Sequence, residues 1–216
     1  MLESAREQVA SACSRLADQG LVVGTAGNVS LRVDDNVVVT PTGGVFGAMT
    51  AEQMPVVDLK GNLVDGKLGP TSELALHLSI YERMDAGAVV HTHAPYATAL
   101  SCVLDEVPAV HYSMLMFGGS LRVAPYATFG TEQLAENVQS ALEGRTACLM
   151  QNHGTVGYGH DLEYAVEAAL LVEWACTVYW RARAIGEPVA LTDEQLQDVA
   201  AQVARLGYGS TKEAET

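Results

Sequence analysis

Two histidines one residue apart close an apolar run, Val89-Val90-His91-Thr92-His93-Ala94-Pro95, and no other stretch constrains the fold as tightly. The run from Ala86 to His93 reads as a buried strand. A strand sends alternate side chains to the same face, so His91 and His93 point the same way, roughly 6–7 Å apart along the backbone. Two imidazoles at that spacing can share one metal ion, although two strand histidines hydrogen-bonded to neighbours give the same pattern. A second short apolar strand, in Cys148-Leu149-Met150-Gln151-Asn152-His153-Gly154, again runs into histidine and then glycine. Glu73 follows Gly69-Pro70-Thr71-Ser72, a loop that enters a helix. Three neutral imidazoles with one position left to water or substrate form the donor set of catalytic zinc, whereas structural sites are closed by four protein ligands. The four cysteines, Cys13, Cys102, Cys148 and Cys176, form no Cys-x-x-Cys pair. That argues against a zinc-thiolate site, and against a disulfide framework in what reads as a reducing, cytoplasmic compartment.

Glycine loops punctuate the rest. Apolar positions at Leu2, Ala5, Val9, Ala12, Cys13 and Leu16 predict an amphipathic helix over 2–19, stopped by Gly20. Gly24-Thr25-Ala26-Gly27-Asn28 then enters an alternating strand, and Asp34-Asp35-Asn36 turns it into Val37-Val38-Val39-Thr40, a hairpin. The second strand runs into Pro41-Thr42-Gly43-Gly44. Neither loop matches the P-loop or the dinucleotide glycine pattern. The third loop, Gly69 to Glu73, precedes a helical run through Leu74, Leu78 and Tyr81. A hydroxyl at a helix start caps exposed N–H groups, and those same groups attract an oxyanion. Glu73 and His77, four apart, share a helical face, with His77 expected as a packed residue or one that supports a ligand from behind, rather than a fourth ligand.

Charge decides what such loops are for. A net charge of −14 argues against nucleic acid, whose binding is dominated by cationic groups on phosphates. A phosphorylated substrate would have to be held by neutral donors, a helix N-terminus or a metal.

Ala94 to Leu100 reads as a short helix, the segments 108–112, 117–120 and 123–130 as irregular, and Thr131 as the cap of a helix to Leu142. Asp161 opens a long helix to Ile185, apolar over most of its surface, as helices buried between subunits are. Glu167, Glu173, Arg181 and Arg183 interrupt it and exclude a membrane span. A last helix starts at Thr192, and 210–216 is expected to be a disordered tail. The start of the chain lacks the pattern of a signal peptide. With 216 residues, 49% of them hydrophobic, and no linker-like stretch, a single domain over 1–209 is expected.

Gly-Thr-Ala-Gly-Asn-Val-Ser at 24–30, Thr-Pro-Thr-Gly at 40–43, Ser72-Glu73, His91-Thr92-His93, Ala-Pro-Tyr-Ala-Thr-Phe-Gly at 124–130 and His153-Gly154 occur here in one order. With them the chain resembles the zinc-dependent class II sugar-phosphate aldolases, most closely those that cleave L-fuculose 1-phosphate. The resemblance implies an α/β, three-layer fold with a central, mainly antiparallel sheet flanked by helices. It implies one zinc ion per subunit on His91, His93 and His153, with Glu73 as catalytic base and further ligand in the empty enzyme. Phosphate is then held by Gly27, Asn28, Thr42, Gly43, Thr71 and Ser72. Tyr112 would act from a neighbouring subunit and Tyr208 would close over the aldehyde, in a homotetramer with sites at subunit interfaces. Thr71 stands where the family has serine, and Asn152 where it often has histidine. The implied reaction is reversible cleavage of a ketose 1-phosphate to dihydroxyacetone phosphate and an aldehyde, L-lactaldehyde for fuculose 1-phosphate. The same superfamily includes ribulose-5-phosphate 4-epimerases, methylthioribulose-1-phosphate dehydratases and decarboxylases, which share the fold. The epimerases have aspartate where this chain has Glu73. Non-catalytic adducin heads also resemble these aldolases but lack the histidines. For Glu73 to act as base, burial and nearby acids are expected to poise it toward neutrality against the metal.

Overall fold

The structure, a computed structural model, describes residues 2–207, so Tyr208 and the tail lie outside the described residues. The chain opens with α1 (Glu3–Asp18), which buries Ala5, Val9, Ala12, Cys13 and Leu16, the stripe read from the sequence. The hairpin follows as β1 (Asn28–Val33) and β2 (Asn36–Val39), with Asp34 taking the left-handed conformation of its tight turn. β3 (Val56–Asp58) and β4 (Leu63–Asp65) extend the sheet outward from β2. Then come α2 (Leu74–Arg83), β5 (Ala88–Thr92) and α3 (Pro95–Ser101). β6 (Glu106–Val107), β7 (Leu121–Ala124), α4 (Glu132–Ala141), β8 (Ala147–Met150) and β9 (Gly154–Gly159) complete the sheet. α5 (Leu162–Ile185) and α6 (Asp193–Leu206) end the described chain.

The strands form one nine-stranded sheet in the order β4-β3-β2-β1-β5-β9-β8-β7-β6. Every pairing is antiparallel except that of β7 with β8. Strand alternation sorts the core into two layers. Val38, Val56, Ala88 and Val90 pack toward α1, α3 and α5, while Val37, Val39, Val57 and Val89 pack toward α2 and α4. Since β5 is covered on both faces, all five of its residues are buried, which is why it reads as an unbroken apolar run.

Register carries β5 into the site. Asn28 lies opposite His91 across the β1–β5 ladder, and Thr155 lies opposite Thr92 across the β5–β9 ladder. A slip of one residue would move His91 to the opposite face. His91 shares its face with Val89, on the α2 and α4 side.

Parts of the segments expected to be irregular are ordered. Residues 112–117 form a 3-10 turn, and Leu121–Ala124 is a strand, with Leu121 and Ala124 buried and Arg122 between them. Four residues between Gly118-Gly119-Ser120 and Pro125 are too few to show a period. β9 was not foreseen either, because Gly154-Thr155-Val156-Gly157-Tyr158-Gly159 reads as loop composition. The reason is close packing. A Cβ at Gly154 would lie 2.3 Å from the Thr92 carbonyl oxygen, and one at Gly159 would lie 2.7 Å from the Tyr164 ring. α5 buries Ala165, Ala169, Val172 and Cys176 against the sheet and leaves Trp174 and Trp180 nearly half exposed. No helix among the described residues is long and apolar enough to cross a membrane.

Candidate active site

His91 ends the apolar run of β5, His93 sits just beyond it, and His153 occupies the turn between β8 and β9. That turn closes through a bond from the His153 N–H to the Met150 carbonyl (3.1 Å), with Asn152 at φ 56°. Asparagine tolerates this left-handed conformation better than most side chains. The strands thus bring the three histidines together: their ligand nitrogens all lie within 4.8 Å of one another, and the ring centroids are 4.8–5.0 Å apart. His91 is fully buried, and its Nδ1–H donates to the Thr155 carbonyl at 2.7 Å. That bond fixes the tautomer and presents the Nε2 lone pair to the cluster, the usual outer support of a metal-ligating histidine.

Glu73 stands directly against this cluster, at the N-terminal boundary of α2. Its Oε2 lies 3.1 Å from His91 Nε2, and its Oε1 lies 3.5 Å from His153 Nε2. Asn28 Nδ2 donates to Oε2 at 3.0 Å, whereas Oε1 is buried without a hydrogen-bond partner. A buried orphan carboxylate oxygen facing converging imidazole nitrogens is costly unless something positive completes it. The donor set fits a divalent cation of zinc type: three imidazoles and one carboxylate, with no thiolate.

Burial pushes the Glu73 carboxyl up, but His91, the bond from Asn28 and His153 outweigh it and hold the group well below the usual carboxylate range. This corrects the expectation of a base poised by nearby acids, for the groups within ion-pair distance are imidazoles. Burial, followed by the proximity of His91, lowers His77 to about 3 and His93 and His153 to about 4. All three are therefore neutral near pH 7, the form that ligates metal. Unfolded, they titrate near 6.5, so below that pH the unfolded chain takes up protons that the folded chain refuses. Glu73, depressed from 4.5, loses its own contribution at still lower pH. Metal-free protein is thus expected to lose stability steadily as pH falls from about 6.5 toward 4. Urea melts in chelator at a series of pH values would show the midpoint falling at constant slope; a flat series would contradict these protonation states.

A cavity of about 480 Å³ opens in front of the cluster. Gly27, Asn28, Thr42, Gly43, Thr71 and Ser72 line it, together with Glu73, His93 and His153. Two of the loops are zipped to each other: the Thr42 N–H donates to the Gly69 carbonyl (3.1 Å) and the Thr71 N–H to the Thr40 carbonyl (3.0 Å). Thr71 Oγ1 takes the N–H of Glu73 at 3.3 Å, a turn ahead of the helix instead of a cap within it. The lining includes no lysine or arginine among the described residues. An anion here would meet backbone N–H groups, hydroxyls and the start of α2.

Not every predicted residue comes to this cavity. Tyr112 does not line it; it lies nearly half exposed on the 3-10 turn, beside Val199, Val203 and Leu206 of α6. Tyr208 lies outside the described residues. His77 is fully buried and is no part of the imidazole cluster, in line with a packed residue. Val23, Tyr126, Phe129 and Asn152 line the cavity but were not singled out as site residues. The only signal for Tyr126 and Phe129 was their place in the segment at 124–130, which has no helical or strand period. For Thr155 there was none, because its backbone makes the contact.

Residues 7–180 match the family described as Class II Aldolase and Adducin N-terminal domain. The chain is 42% identical over 192 residues to the L-fuculose phosphate aldolase of Escherichia coli, covering 88% of this chain and 89% of that one. It is 39% identical over 196 residues to the 5-methylthioribulose-1-phosphate/5-deoxyribulose-1-phosphate aldolase of Rhodospirillum rubrum, covering 90% and 88%. A solved L-fuculose 1-phosphate aldolase superposes with a TM-score of 0.89 at 35% identity, covering 93% of this chain and 96% of the other. A histidine cluster at the strand ends, a carboxylate against it and a cation-free cavity between glycine loops thus occur on a shared fold and sequence, and the chain belongs to the class II aldolase family.

Proposed function

We propose that this chain reversibly cleaves a ketose 1-phosphate to dihydroxyacetone phosphate and a short aldehyde, with L-fuculose 1-phosphate and L-lactaldehyde as the leading pair. The observation that carries the reading is the single cavity joining Glu73 and two of the clustered histidines to three glycine loops without a cationic side chain. The loops would anchor the phosphate through neutral donors, which suits a chain already carrying a large negative charge. His91, His93 and His153, with Glu73 in the empty enzyme, would hold zinc. A divalent cation there would supply Lewis acidity toward the ketone and hydroxyl oxygens of dihydroxyacetone phosphate.

In the synthetic direction Glu73 takes the proton from the hydroxyl-bearing carbon of dihydroxyacetone phosphate. The electron pair left on that carbon forms the new bond to the aldehyde carbon, and Tyr112 of a neighbouring copy gives its proton to the aldehyde oxygen. Cleavage reverses these transfers. The low carboxyl pKa without metal keeps Glu73 in the ionised form a base needs, while it weakens the pull of that carboxylate on a proton. Tyr112 can serve only if chains associate, so a homotetramer with sites between subunits belongs to the same reading, as does closure of Tyr208 over the aldehyde.

A second substrate has specific support, since a relative with 39% identity is named for 5-methylthioribulose 1-phosphate and 5-deoxyribulose 1-phosphate. These too are ketose 1-phosphates, and they change only the aldehyde. Trapping dihydroxyacetone phosphate from a panel of L-fuculose 1-phosphate, both deoxyribulose-type esters and ribulose 5-phosphate tests reaction and substrate together. Release is expected from one or more of the 1-phosphates and none from ribulose 5-phosphate. Epimerisation of ribulose 5-phosphate, with no release from any 1-phosphate, would overturn the aldolase reading.

A further inference from the structure

Behind Glu73 a line of buried polar groups runs away from the cavity, between the sheet and α2. Asn28 Nδ2 reaches Glu73 Oε2, and Asn28 Oδ1 lies in close hydrogen-bond contact with His77 Nε2. His77 Nδ1 is 2.7 Å from Ser30 Oγ, which is 2.7 Å from the Tyr81 hydroxyl. Asn28 and Ser30 alternate on β1 and so face the same way, toward α2. Asn28, Ser30, His77 and Tyr81 are all at most 4% exposed, so no bond in this line is shared with bulk water.

Donor and acceptor chemistry gives the line one direction. The Glu73 carboxylate only accepts, so Asn28 must turn its NH₂ toward Oε2 and its carbonyl toward His77. His77 must then carry its proton on Nε2 and accept at Nδ1. Ser30 must therefore donate to His77 and accept from Tyr81. Burial raises the Tyr81 phenol and lowers the His77 imidazole, so both stay in the neutral forms this order requires. Each of the four bonds of the line is made in this one arrangement. An inverted Asn28 amide would set two acceptors, its carbonyl and the carboxylate, face to face at Glu73.

We infer that His77 is a positioning residue: acting through the Asn28 amide, it anchors Glu73 by Oε2 and leaves Oε1 as the oxygen turned to the reacting groups. Oε1 is the oxygen with no hydrogen-bond partner, and the anchor explains why the two oxygens differ. Asn28 also lines the cavity beside the glycine loops, so the same anchor sets the base against the anion pocket. The inference rests on the proposed role of Glu73 as base, but the orientation of the line can be read without any turnover.

Imidazole nitrogen-15 shifts of the metal-free protein are expected to show His77 neutral with its proton on Nε2; a proton on Nδ1 overturns the inference even in an active enzyme. His77→Gln places an amide N–H near the position of Nε2 and keeps the donor to Asn28. His77→Asn resembles the Nδ1 side and loses that donor. His77→Gln is expected to retain kcat within a few fold, whereas His77→Asn loses about 100-fold in kcat with KM nearly unchanged, as small misplacements of a catalytic group do. Both variants lose the buried imidazole, so a purely structural role would lower them together. Equal kcat in the two variants, or losses that track only the folded fraction, would overturn the positioning role. Absence of aldolase turnover in the parent would sink the proposed function and leave the nitrogen-15 result to judge the line.

Discussion

Glu73→Gln is expected to lower turnover by about a thousandfold, within the range for removing a positioned general base, while the chain folds and retains most of its metal. Folding should survive because the change is isosteric and neutral. Burial opposes the charge of Glu73, and the imidazoles and Asn28 favour it, so removing the charge removes both. The glutamine carbonyl can still accept from Asn28 Nδ2, which keeps the buried line intact. Its NH₂ would face the imidazole nitrogens, where Oε1 now stands within 3.5 Å of His153 Nε2. That end has no lone pair for a proton on carbon or for a metal. Bound metal should fall only modestly, since the three clustered histidines remain. The measurements are kcat with the best ester of the panel, metal per chain by elemental analysis, and a thermal melt. Turnover within tenfold of the parent would remove Glu73 from the role of base. Loss of metal in proportion to turnover would recast it as chiefly a ligand.

How much of this could be read from residues alone depended on where the information was local. β5 was legible because burial on both faces leaves an apolar run that only a covered strand explains, and because two imidazoles end it. α1 was legible from its apolar stripe, and α4 and α5 from the caps at Thr131 and Asp161, whose side chains accept from Leu134 and Tyr164. β9 was hidden because its glycines answer to β5 and α5, elements distant in the chain. β7 is too short for a period, and its pairing with β8 is a long-range fact. The histidines and glycine loops could be named from type and spacing, and from resemblance to a family. The direction of the Asn28 amide and the partner of His91 could not, since both are contacts between separate strands. The pKa of Glu73 was misjudged for the same reason: burial was foreseen, but the imidazoles pressed against it outweigh burial, and only the fold brings them there.

His153→Ala is expected to abolish turnover and strip most of the metal, yet leave the fold standing. The side chain sits in a turn and is 13% exposed, so truncation opens no large apolar void. The ladder that forms the turn is backbone, pairing Leu149 with Thr155 and Met150 with Gly154, and it needs nothing from the imidazole. Metal retention is another matter. Losing an outer partner of a ligand already costs about 10–100-fold in affinity, and losing a ligand itself should cost more. Two imidazoles and Glu73 would remain as donors. The same logic sets the effect of chelation on the parent. Apolar layers lie on both faces of the sheet and do not pass through the cluster, so removal of metal should silence the chain without unfolding it. Small zinc domains behave otherwise, because binding supplies their folding free energy. Far-ultraviolet circular dichroism and amide dispersion should persist in chelator, while turnover disappears and returns when zinc is restored to the parent but not to His153→Ala. Unfolding on chelation would make the site structural and would undercut the catalytic reading at its base.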